Sequence, residues 1–76
     1  MVETIRFYDH YSCDEPHDLK QIKAMKPVIV TARGEVMRED KEFVFLAETE
    51  VDYGNHKTYR STWCIVKGAI LDRKKI

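Results

Sequence analysis

Five residues able to bind a metal ion, His10, Cys13, Asp14, Glu15 and His17, fall within one stretch of eight. Imidazole and thiolate are both zinc ligands, and the His-x2-Cys-x3-His spacing can bring three donors to one ion. Cys64 or His56 would supply a fourth. The stretch has none of the paired Cys/His knuckles of zinc modules, and polar loops ahead of helices collect the same residue types. Ordinary loop residues are therefore the simpler reading, with a metal site at His10, Cys13 and His17 as the competing one. The two cysteines, in a chain whose N-terminus does not read as an export signal, are expected to be reduced thiols in a cytoplasmic protein.

A second constellation lies toward the C-terminus. Residues 53–76 carry a net charge of +5, against −4 for residues 27–52 and −1 for residues 1–26, so a chain of zero net charge is strongly polarised. Lys57, Arg60 and Lys67, with Tyr53 as a stacking platform, form a candidate surface for phosphate backbones and unpaired bases. A neutral chain is a poor generic nucleic-acid binder, so a solvated charged face is the competing reading. Trp63 shares a strand face with Tyr59, Ser61 and Ile65, which favours core packing for it. Catalytic patterns are missing: Ser61 has no Gly-x-Ser-x-Gly context, and Gly34, Gly54 and Gly68 are too dispersed to cradle a phosphate. The chain is expected to be neither an enzyme nor a cofactor carrier.

These residues must be held by a single small domain. At 76 residues, with 43% hydrophobic and 34% charged residues, the chain is globular in composition. A domain of this size has a modest core, and a partner or second copy is expected to complete it. No apolar run of about 18 residues is present, so no membrane span is expected.

Thr4–Tyr8 alternates as a short strand. Pro16 opens a helix reaching about Met25, capped by Asp14 or Glu15, with Leu19, Ile22 and Met25 on its apolar face. Pro27 stops it, and the period changes from three to two. Val28, Val30, Ala32, Gly34 and Val36 then share one face of a strand, which Gly34 is expected to bend. Arg38–Glu42 is a charged hairpin connection, and 43–47 is an apolar strand covered on both faces. Residues 48–58 form a long exposed loop whose ends can extend the flanking strands. Tyr59–Val66 is a further strand, Lys67-Gly68 a turn, 69–72 a last short strand, and Arg73-Lys74-Lys75 a basic tail. The core expected from these patterns is Ile5, Phe7, Leu19, Ile22, Val28, Val30, Val36, Leu46, Ile65, Val66 and Ile70. The architecture is mainly β: a small, bent, five-stranded antiparallel barrel with an N-terminal strand and a short helix, closed so as to remove exposed edges.

Two stretches are similar to the paired motifs of the Sm-like proteins. Gly34-Glu35-Val36-Met37-Arg38-Glu39-Asp40, continuing to Phe43-Val44-Phe45-Leu46, resembles their glycine, hydrophobic strand, turn aspartate and third strand. Ile65-Val66-Lys67-Gly68-Ala69-Ile70-Leu71 resembles the turn joining their last two strands. The same layout resembles uncharacterised short prokaryotic and phage proteins. The resemblance covers about residues 17–76, leaving the first strand as an addition. It implies a bent barrel whose edges join neighbours, and it carries only Lys67 and Gly68 over to the family's RNA-contacting pair. The base-binding Asn of the first motif has no counterpart, since Phe43 stands near that position.

The leading functional expectation is a non-enzymatic binding module, an accessory or phage-type protein acting through protein contact or self-association. An RNA- or single-stranded-DNA-binding barrel using Tyr53, Lys57, Arg60, Lys67 and Gly68 comes second. A small zinc-binding regulator using His10, Cys13 and His17 comes third.

Overall fold

The structure is a computed structural model and describes residues 1–10 and 16–76. Five strands and two short helical elements follow one another: β1 (Val2–Asp9), α1 (Leu19–Ala24), β2 (Val28–Glu39), β3 (Phe43–Asp52), β4 (Lys57–Val66), a 3-10 turn η1 (Lys67–Ala69) and β5 (Ile70–Lys75). All pairings are antiparallel, in one sheet of order β4-β3-β2-β1-β5. The mainly β class read from the alternation is therefore the observed one, with two differences. The sheet is open, because no ladder joins β4 to β5. The N-terminal strand is one of the five and lies between β2 and β5, rather than being added to a complete set.

Alternation explains the core. On β1 and β2 the odd and even sets expected to face inward do so: Ile5, Phe7 and Ala32 are buried, and Val30 and Val36 pack against them. Val44, Leu46 and Ile65 complete the core from β3 and β4, with Trp63 and Ile70 at its margin. Gly34 acts less as a simple bend than as a point of close approach. A Cβ built there would lie 2.2 Å from the carbonyl oxygen of Ala47. β2 pairs with β1 over Val28–Glu35 and with β3 over Glu35–Glu39, so the missing side chain sits where the strand passes from one partner to the other.

The helix differs from expectation. It spans Leu19–Ala24, and Asp18 caps it in a reciprocal box: the Gln21 amide donates to Asp18 Oδ1 at 2.8 Å, and the Asp18 amide donates to Gln21 Oε1 at 2.9 Å. Pro16 precedes the helix, and the Asp14 and Glu15 caps fall outside the described residues. The Leu19, Ile22 and Met25 face is not core: these side chains are 66%, 52% and 45% exposed. Val28 and Val66 are exposed as well, while Ala32, Val44 and Ala47 are buried in their place. The physical reason is length. Six residues make fewer than two turns, and none of them is buried.

The 48–58 stretch is mostly strand. β3 and β4 extend into a two-stranded ribbon, with Thr49 opposite Arg60 and Asp52 opposite Lys57. Only Tyr53-Gly54-Asn55-His56 turns, held by the Tyr53 amide donating to the His56 carbonyl at 2.9 Å and the Gly54 amide donating to Asp52 Oδ1 at 2.8 Å. Gly54 has φ +91°, which a side chain would strain. The expected basic tail is likewise a strand, pairing Arg73 with Ile5 and Lys74 with Thr4.

Candidate functional site

The sequence-derived nucleic-acid residues are spread along the molecule. Tyr53 and Lys57 sit at the ribbon tip, whereas Lys67 and Gly68 lie in η1, ten positions further along, about 30 Å of extended chain. Tyr53 is exposed as expected and stacks on His56, ring centroids 4.8 Å apart. Lys57 Nζ lies 3.2 Å from Glu50 Oε1, and Lys67 Nζ lies 2.7 Å from Glu39 Oε2. Arg60 pairs in register with Thr49 on the ribbon. The geometry thus divides these residues between two ends of β4, with carboxylates beside two of the three cations.

Among the metal candidates, Cys13 lies outside the described residues, so the spacing argument stays where the sequence left it. His10 directly follows the first strand, and among the described residues no group of three or more His, Cys, Asp or Glu side chains is placed to hold a metal ion. Cys64 is a free, exposed thiol.

Sequence reasoning missed a charge cluster at the open end of the sheet. A β-bulge at Met37 places Arg38 opposite Phe45 and Glu39 opposite Val44. Simple alternation from Val36 would put Glu39 on the outer face. The extra residue reverses this, as bulges do, and brings Glu39 to the core side. There Arg73 on β5 donates to Glu39 at 2.9 and 3.0 Å and grips buried Glu3 on β1 through Nε and Nη2, each 2.9 Å away. Hydrogen bonds from Arg73 and Lys67 hold the Glu39 carboxyl down at about 2, and the same two carboxylates raise Arg73. Side chains thus tie β2 to β5 and to η1, which no ladder joins to it, and reinforce the β1–β5 ladder. The pattern carried no signal of it: simple alternation sets Glu39 with Thr31, Arg33 and Glu35 on a polar face, and the bulge that moves it is not written in the sequence.

The remaining feature is the β4 margin. β4 is an edge strand, paired with β3 on one side only. Between Ser61 and Val66 it carries no charged residue, whereas the opposite edge, β5, carries Arg73, Lys74 and Lys75. Charged side chains are a common guard against edge pairing, so the two edges differ in kind. Beside β4 on the outer face lies an apolar depression of about 410 Å³, formed by Met37, Phe45, Tyr59, Thr62 and Cys64 among others. Arg38 lies over the Phe45 ring at 4.1 Å. A second groove of about 220 Å³ runs between Phe7–His10 and Trp63–Val66. An unguarded edge flanked by apolar pockets is suited to an extended polypeptide: the backbone supplies hydrogen bonds and the pockets take alternate side chains. Across known proteins, no family model, curated protein or solved structure matches this chain.

Proposed function

We propose that the protein is a non-enzymatic binding module that acts through protein–protein contact, and that the free edge of β4 is its contact element. The observation that carries the reading is the asymmetry of the two sheet edges. β5 is studded with cations and β4 is bare from Ser61 to Val66, next to the Met37–Phe45–Tyr59 depression. An exposed apolar edge is a liability that persists where it is used. The Sm-like layout belongs to this proposal as a reading of the sequence. The five antiparallel strands and the helical turn before the last of them support it, whereas α1, set between β1 and β2 with four strands after it, departs from that layout.

The test is selection of displayed peptides on sparsely immobilised protein, with Thr62→Lys as counter-selector. Thr62 is exposed, so the charge alters the edge and not the core. Enrichment of extended peptides with alternating β-branched residues, bound at least tenfold more weakly by Thr62→Lys, is the expected result. Ligands indifferent to that change would place the contact surface elsewhere.

A further inference from the structure

The β4 edge has an internal boundary. Ser61 has φ +54°, left-handed backbone that non-glycine residues rarely adopt within a strand. At the other end the strand gives way to η1 at Lys67. Between these breaks lies a straight run of five residues, Thr62-Trp63-Cys64-Ile65-Val66, none of them charged. Its midpoint is Cys64.

Side-chain direction restricts what can pair with this run. Thr62, Cys64 and Val66 stand opposite Ala47, Phe45 and Phe43, on the outer face. Trp63 and Ile65 stand opposite Leu46 and Val44, on the core face. Directly opposed residues of antiparallel strands point to the same side, and a shift of one residue exchanges the faces. If this run meets its own copy about a twofold axis perpendicular to the sheet, both faces stay continuous only when the axis passes through a residue, not between two. An axis at Cys64 uses the whole run: Thr62 faces Val66 of the second copy, Trp63 faces Ile65, and Cys64 faces Cys64. No like charges meet, and the outer stripe of Phe43, Phe45 and Cys64 continues across the junction.

We propose that the partner taken by the β4 edge is a second copy of this chain, joined β4 to β4, antiparallel, with Cys64 on the twofold axis. The inference rests on the edge being the contact element and adds the identity and register of the partner. The alternative self-pairing, β4 against β5, would bring Lys74 and Lys75 alongside the edge that carries Lys57 and Arg60. A five-residue ladder is a small interface, so reversible association in roughly the micromolar-to-millimolar range is expected.

The register makes a covalent test available. Opposed residues of an antiparallel pair have α-carbons about 4.5 or 5.5 Å apart, both within the span of a disulfide. Diamide, which takes up two electrons and two protons as two thiols join, should convert the wild-type chain to a Cys64–Cys64 dimer, as should the Cys13→Ser variant. In a background of Cys13→Ser and Cys64→Ser, Thr62→Cys alone and Val66→Cys alone should cross-link at least tenfold more slowly, while an equimolar mixture of the two should give the mixed dimer. Sedimentation velocity should show a monomer–dimer equilibrium weakened at least tenfold by Thr62→Lys. Efficient Thr62→Cys self-cross-linking would overturn the register. A wild-type chain still monomeric at several hundred micromolar would overturn self-pairing while leaving peptide capture by the edge intact. A dimer insensitive to Thr62→Lys would overturn this inference, and, if peptide binding were also insensitive, the edge itself as the contact element.

Discussion

Phe7 and Trp63 meet edge to face with ring centroids 5.5 Å apart, although two strands stand between theirs in the sheet. In a flat sheet, three strand spacings would put them about 14 Å apart. The contact therefore measures how far the sheet curls: β1 and β4 come back together over Leu46 and Ile65 without sharing a ladder. The indole is steadied from outside the core, Trp63 Nε1 donating to Glu48 Oε2 at 2.8 Å. Phe7 is buried, so Phe7→Ala should cost about 3–5 kcal/mol. Trp63 is the only tryptophan, and its fluorescence in a urea titration reads the loss directly. A loss below about 1 kcal/mol would mean that the curl does not depend on this pair.

Gly34 is expected to tolerate no side chain. Its space is filled by the Ala47 carbonyl and the Glu48 α-carbon, which are backbone atoms and cannot swing aside. Gly34→Ala should destabilise by about 2–3 kcal/mol or more through forced separation of β2 and β3. Gly68→Ala is the control, because nothing lies within 4 Å of a Cβ there, and it should fall within about 1 kcal/mol of wild type. Equal losses in the two variants would refute the close-approach argument.

The fold was legible where the pattern is local. Alternation on 28–36 gave the right inner face, and apolar runs on either side of 48–58 marked two neighbouring strands, although most of that stretch, read as a loop, is strand. What alternation could not give were the points where one residue changes the count or a tertiary contact overrides local preference. The Met37 bulge turns Glu39 inward. Arg73, which reads as tail, gains a place because β5 pairs with β1 and buried Glu3 requires a cation. Helical periodicity at Leu19, Ile22 and Met25 indicates a helix, as found, but it does not say what the apolar face meets. Of the candidate site residues, Tyr53 was correctly read as exposed. Lys57 and Lys67 were read by charge alone, which does not reveal Glu50 and Glu39 beside them.

Ile22 separates the two readings of α1. Were its side chain buried, truncation would cost about 2–5 kcal/mol. It is half exposed, and no helix residue is buried, so Ile22→Ala should change stability by no more than about 0.5 kcal/mol. Removing the cap should matter more: Asp18→Ala takes away the acceptor of the Gln21 amide and should lower helix content by circular dichroism, with a local cost of about 1 kcal/mol. The reverse order, Ile22→Ala costly and Asp18→Ala silent, would restore the packed helix.

The acid response should report the Glu39 cluster. Hydrogen bonds from Arg73 and Lys67 lower Glu39 to about 2, below the ordinary carboxylate value of its unfolded chain. A group with a depressed folded value binds fewer protons when folded, so its contribution is fully present above the unfolded value, near pH 4.5. It fades as pH falls toward 2. Stability should thus be flat in this respect from neutral pH to about 5 and decline below. Glu39→Gln removes the titrating group while keeping its shape, and should make the decline between pH 4.5 and 2 shallower, measured by urea unfolding at each pH. Asp40 is also lowered, by the Glu42 and Phe43 amides that donate to it, so part of the slope should survive the Glu39 change. Arg73→Met should act differently. It leaves Glu3 buried without its cation, and breaking a pair of that kind costs about 3–5 kcal/mol. Urea unfolding at pH 7 measures that loss directly. An Arg73→Met variant that lost less than about 1 kcal/mol at pH 7 would show that buried Glu3 does not depend on the Arg73 cation.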